Sequence, residues 1–255
     1  MISPIKDPHD FQCGSVLQKI IPPRSTVNVP IFFSGNLPLL LSSSGRRVRG
    51  LTNKYVVYEF WKCASHDPKR VMDIAKHLST KQDSNILFYL QEDWPTYKDP
   101  YLRSALFFLL NRFSETGFQS HGNLTYDNFN PISLNRIKAL KDSNLEIHLL
   151  TSADFIPPLK EYPESDYILM PVGTFAYNFF QEGQNRGWET TEIDQYKLRD
   201  FLDNTEKKTI LAYNKHAAIP SFYENHNQLY LNKYGIPVKD FNSAKEVLIA
   251  NFRFS

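Results

Sequence analysis

The sequence predicts an α/β protein: a mainly parallel, Rossmann-like sheet with a mostly helical insertion. Three observations predict it. Apolar runs of strand length recur at the start of Val27–Leu41 and at Leu145–Leu150, Asp166–Met170, Lys208–Tyr213 and Glu246–Phe252. Stretches with helical spacing separate them, and strands that alternate with helices pair in parallel and bind ligands beyond their carboxyl ends. The chain has 255 residues, 42% hydrophobic against 22% charged, which supplies a full core and is too apolar for disorder.

Val27–Leu41 (VNVPIFFSGNLPLLL) reads as a strand, a tight turn at Ser34-Gly35-Asn36 and a short helix. Ser42–Gly45 breaks the apolar pattern, so a loop carrying Arg46, Arg47 and Arg49 is expected before Lys54–Trp61 turns apolar again. Asp67-Pro68 is a helix start, because aspartate accepts a first-turn N–H and the N–H that proline lacks is not needed there. Val71, Ile74, Ala75 and Leu78 hold helical spacing behind it, and Arg103–Phe113 repeats that period behind Asp99-Pro100. Ser114–Pro131 is rich in Gly, Asn, Ser and Asp and reads as a long loop, where compact proteins often place recognition. The expected division is an α/β core at residues 1–61 and 146–255 and a helical insertion at 62–145.

Several segments, taken in order, carry a resemblance. Leu110-Asn111-Arg112, Gly117-Phe118 and Phe129-Asn130-Pro131 follow one another; Asp154-Phe155 stands twelve residues before Asp166; Val247–Phe252 (VLIANF) closes the chain. This order resembles the DNA adenine methyltransferases, which move a methyl group from S-adenosylmethionine to the exocyclic amine of adenine. The resemblance implies a Rossmann-like methyltransferase sheet, with residues 62–145 similar to the target-recognition domain. It also implies cofactor contacts at Phe33, Gly35, Asn53, Asp154 and Phe155. Nucleic-acid contacts are expected at Arg46, Arg47 and Arg49, where a flexible arginine loop can hold phosphates, and at Arg112, Asn123 and Asn130 in and beside the long loop.

Departures from the family pattern fall on the chemistry. The family wraps the cofactor in Phe-x-Gly-x-Gly, where a β-carbon blocks close backbone approach; here Phe33-Ser34-Gly35-Asn36-Leu37 replaces the second glycine by leucine. The family's next strand ends in an acid that binds the ribose hydroxyls, and here Leu51-Thr52-Asn53-Lys54 offers only the uncharged Asn53. The family's Asp-Pro-Pro-Tyr accepts the two amine hydrogens and stacks its ring on the flipped base. In its place stand Met170, Pro171, Val172 and Gly173, which supply neither acceptor side chain nor ring. Phe175 and Tyr177, just beyond, are either core aromatics or rings that stack on a base.

Lys+Arg 29 against Asp+Glu 27 leaves a net charge of +2, so any polyanion footprint is local. Cys13 and Cys63 are the two cysteines and the seven histidines show no metal-ligand spacing, so neither a thiolate zinc site nor any other metal is expected. A P-loop and a Gly-x-Ser-x-Gly elbow are both missing from the sequence. No apolar stretch approaches membrane-span length, and a cytoplasmic protein is expected. The resulting expectation is an inactive methyltransferase-like protein that binds DNA or another protein subunit and takes no cofactor. Two alternatives stand beside it: a divergent active adenine methyltransferase whose cleft still takes S-adenosylmethionine, and a structural interaction protein that borrowed the fold.

Overall fold

The structure, a computed structural model, describes residues 2–6, 9, 11–80, 84–115, 124–151, 154, 156, 159, 162–173, 175 and 193–254. The chain opens with α1 (Gly14–Ile20), β1 (Thr26–Val29), α2 (Asn36–Ser43) and β2 (Arg47–Thr52). Five helices follow: α3 (Tyr55–His66), α4 (Pro68–Leu78), α5 (Ser84–Asp93), α6 (Pro100–Phe113) and α7 (Ile132–Lys138). Then come β3 (Leu145–Leu149), β4 (Tyr167–Gly173), α8 (Gln195–Asn204), β5 (Lys208–Asn214), α9 (Ile219–Phe222), β6 (Asn227–Leu231), β7 (Pro237–Val238) and β8 (Glu246–Ala250).

The strands form one sheet in the order β3-β2-β1-β4-β5-β8-β6-β7. Neighbours among β1 to β5 all pair in parallel, and β8 runs antiparallel between β5 and β6. The order 3-2-1-4-5 is that of a doubly wound sheet, so the carboxyl ends of five strands share one edge and the order reverses between β1 and β4. This is the Rossmann-like methyltransferase sheet of the expected class. Central strands are apolar along their whole length because both faces are covered: all five residues of β8 are buried, as are Thr209 to Tyr213 of β5. Edge strand β3 instead exposes Glu146 and Leu149.

Both expected helix starts form as the residue chemistry dictates. Asp67 accepts from the Arg70 N–H at 3.0 Å and Asp99 from the Tyr101 N–H at 2.9 Å, each with proline in the first turn. Asp194 caps α8 likewise, taking the N–H groups of Tyr196 and Lys197. In α6, Ser104 to Phe113 are buried without interruption, because the helix packs against both α3 and α4. Phe107 meets the rings of Phe33, Phe60 and Trp94, so these helices share one core with the sheet, and α3 runs continuously across residue 62. A partly buried ion pair ties α3 to α6: Arg103 donates to both carboxylate oxygens of Glu59, one at 2.8 Å, and the Tyr55 hydroxyl adds a third bond at 3.0 Å.

The arginine loop requires correction. Arg47 and Arg49 lie on β2, opposite Thr26 and Asn28 of β1, and Arg46 directly precedes the strand. Charge is tolerated in this strand because its neighbour β3 places Glu146 in register with Arg49; electrostatic pairing substitutes there for apolar packing.

Candidate functional site

At the carboxyl edge of the sheet, the amino-terminal segment crosses strand end after strand end. Beyond β1, Ser3 N–H donates to Asn36 Oδ1 at 3.2 Å and Ser3 Oγ donates to the Ser34 carbonyl. Asn111, at the end of α6, accepts from Lys6 N–H at 2.6 Å and donates to the Lys6 carbonyl at 3.3 Å; Arg112 Nε donates to the Pro4 carbonyl at 2.6 Å. At the end of β4, the His9 ring rests on Gly173 so closely that a β-carbon there would lie 2.4 Å from it. Gln12 N–H then donates to Glu246 at 2.6 Å, at the start of β8. The described residues of this segment, 2–6, 9, 11 and 12, form a strap along the edge where strand order reverses, the usual ligand crevice of such sheets.

Three cations gather under the strap. Lys6 donates to the Ser114 carbonyl at 2.5 Å, Arg112 holds Pro4, and Arg136 of α7 donates to the Ser3 carbonyl at 3.3 Å. Arg112 is 9% exposed, its Nη2 has no hydrogen-bond partner, and no carboxylate pairs with any of the three among the described residues. Burial, aided by the nearby charge of Arg136, pushes the Arg112 guanidinium down to about 10. Burial likewise lowers Lys6, with the charge of Arg112 adding to it and the carboxylate of Glu115 opposing it. Buried charge normally comes paired, and here three cations meet Glu115 without a salt bridge to any described carboxylate, which leaves the cluster net positive.

The sequence-derived positions divide. Arg46 is 3% exposed and donates to the carbonyls of Ile21, Ser44 and Gln18, so its charge is used inside the fold. Arg47 pairs with Glu146 at 2.9 Å and Arg49 with Glu146 and Glu164 at 3.8 and 4.0 Å, both from a strand whose carboxyl end, at Thr52, points to the mouth. These three arginines are thus held within the fold or by carboxylates and stand apart from the cations under the strap. Asn130 accepts the Ile132 N–H at 2.9 Å and starts α7, while Asn123 and Phe155 lie outside the described residues, with Gly117-Phe118 and Tyr177. Phe33 is 7% exposed against Phe107, and Asp154 pairs with Lys197 of α8. Asn53 stands one residue past β2, where the resemblance expects an acid. Met170 and Val172 are fully buried within β4, so their side chains belong to the core; Pro171 marks a register shift toward Gly173.

Gly35 takes φ +71°, and a β-carbon there would lie 2.7 Å from the Trp61 indole, whose Nε1 donates to the Phe33 carbonyl at 2.9 Å. Gly35→Ala is expected to destabilise by about 2–4 kcal/mol, combining left-handed strain with a forced shift of Trp61. Gly45 has φ +86° and open space around it, so Gly45→Ala should show the strain alone, about 1–2 kcal/mol. Urea denaturation of the two variants separates the contributions, and equal losses would show that Trp61 imposes no constraint on Gly35.

Lys6, His9 and Arg136 were not singled out by sequence. Arg136, Lys138 and Lys141 form a basic run that was the one available signal, whereas nothing local marks Lys6 or His9. Among the described residues no group of three or more His, Cys, Asp or Glu is placed to hold a metal ion, and no helix is long and apolar enough to cross a membrane.

No family model matches the chain, and no curated protein matches it. Among solved structures it is similar to the rRNA methyltransferase AviRa from Streptomyces viridochromogenes, with 14% identity over 92% of this chain and 82% of that chain and a TM-score of 0.39.

Proposed function

We propose that the chain is a nucleic-acid-binding protein on a methyltransferase-like scaffold and that it transfers no methyl group. The observation that carries this reading is the strap at the strand-order reversal, which brings the three cations Lys6, Arg112 and Arg136 together, with Glu115 acting on Lys6 as a partial counter-charge, and lays His9 on Gly173. A mouth of that sign attracts phosphate oxygens and repels the sulfonium of S-adenosylmethionine.

The residues present do not fit that cofactor. Trp61 and Phe32 crowd Gly35, Leu37 is 4% exposed in place of the second glycine, and Asn53-Lys54 supplies no carboxylate for the ribose. Methyl transfer to an amine needs oxygens that accept the amine hydrogens and aim the lone pair; Met170 and Val172 have none. Removing one preorganised group of that kind costs roughly a hundredfold to a thousandfold in rate.

Calorimetry with S-adenosylmethionine is expected to show no binding heat, and radiolabelled cofactor no transfer to single-stranded or duplex nucleic acid. Fluorescence anisotropy is expected to show oligonucleotide binding at low salt that weakens as salt rises. A micromolar cofactor dissociation constant, methyl transfer above background, or failure to bind any oligonucleotide would each overturn the proposal.

A further inference from the structure

Aromatic rings collect at the carboxyl ends of β4 and β5. Phe175, two residues past β4, stacks on His216, two residues past β5, with ring centres 5.1 Å apart and planes 19° apart. Phe222 of α9 meets Phe175 edge-on at 5.3 Å, and Tyr196, in the first turn of α8, meets Phe222 at 5.3 Å. The Arg199 guanidinium lies 4.7 Å over the Phe222 ring.

These rings differ from those below them. Tyr213 and Tyr223 are fully buried, joined hydroxyl to hydroxyl at 2.8 Å, and Tyr213 donates to Gln195 at 2.6 Å; they form a fixed floor. Tyr196 is 66% exposed and His216 is exposed, with Phe175 and Phe222 half-buried between floor and solvent. A core has no use for a tyrosine ring left two-thirds in water. Arg199 lies over the Tyr196 ring too, at 5.5 Å, so Tyr196 and His216 offer their solvent-facing sides on a support of rings and guanidinium, an arrangement suited to flat, π-faced ligands.

The strap joins this platform to the cationic cluster. Lys6 and His9 are three residues apart, at most about 11 Å of chain, and the His9 ring touches Gly173, two residues from Phe175. Phosphate-seeking charge and base-seeking faces therefore share one edge within the reach of a few nucleotides. Duplex bases cover one another's faces, whereas a single strand offers both phosphates and faces together.

We infer that Tyr196, His216, Phe175 and Phe222, with Arg199, form a stacking platform for unpaired bases, so that the ligand is single-stranded nucleic acid. This rests on the nucleic-acid reading above and names its substrate class. The test compares a short labelled oligothymidylate, an abasic strand with the same number of phosphates, and a duplex of equal length.

Anisotropy titrations are expected to show the base-bearing strand bound tighter than the abasic one, by roughly fivefold to a hundredfold per stacked base. It should also bind tighter than the duplex. The double variant Tyr196→Ala/His216→Ala, both sites being exposed, is expected to erase most of the preference for bases while leaving abasic affinity within about twofold. Equal wild-type affinity for base-bearing and abasic strands, stronger duplex binding, or a preference that survives in the variant would each overturn the platform and leave the nucleic-acid reading standing. Failure of every strand to bind would overturn both.

Discussion

Lys6→Met combined with Arg136→Gln is expected to weaken oligonucleotide binding at least about tenfold at low salt while leaving the fold intact. Each lost phosphate contact should lower the slope of log affinity against log salt by about 0.7 for a single strand, so the pair should lower it by about 1.4. Arg112 stays in place, because its Nε bond to the Pro4 carbonyl holds the strap as well as carrying charge. The stability readout separates binding from architecture. A purely structural pair of cations would cost stability when removed. Here the two removed charges repel a buried arginine in a cluster that Glu115 only partly balances, and relief of that repulsion offsets the loss of the Lys6 and Arg136 hydrogen bonds. The melting temperature is expected to stay within about 3 °C of wild type. Unchanged affinity and unchanged salt slope in a folded variant would remove the cluster from the binding surface.

Glu59→Ala is expected to destabilise the protein by about 3–5 kcal/mol, a large share of the stability of an ordinary domain. Glu59 is 6% exposed and takes bonds from Arg103 and Tyr55, and the bond to Glu59 holds the Arg103 guanidinium above its usual range. Without the carboxylate, Arg103 keeps its charge in a half-closed space with the Tyr97 carbonyl and the Tyr55 hydroxyl as neutral neighbours. That uncompensated charge, rather than the lost attraction, dominates the cost. Glu59→Leu combined with Arg103→Met removes both charges and retains similar volume, so it should recover most of the loss. Urea denaturation with comparable m-values measures all three proteins. A loss below about 0.5 kcal/mol in Glu59→Ala would show that the pair is solvent-relaxed, like the surface pairs whose worth is small.

Local chemistry was legible wherever neighbouring residues set the structure. Asp67-Pro68 and Asp99-Pro100 start helices because an aspartate acceptor and a proline first turn act within three residues. Strands β1, β4, β5 and β8 were legible from apolar runs, since a strand covered on both faces can hold little else. β2 was misread at its start because Arg47 and Arg49 look like loop residues until Glu146 of β3 and Glu164 stand beside them. Which arginines are used up inside the fold was likewise hidden. Arg46 and Arg112 are both buried, yet one bonds to three carbonyl groups and the other keeps an unpartnered Nη2 beside two further cations.

The sequence by itself determined the α/β class, the helix caps and the absence of acceptor side chains at Met170 to Gly173, because each is a property of residue type and short spacing. Only the tertiary structure decided what occupies the mouth. Lys6, Arg112 and Arg136 lie up to 130 positions apart and His9 stands 164 before Gly173. Coulomb forces and ring contacts depend on distance in space, and the folded sheet alone sets that distance.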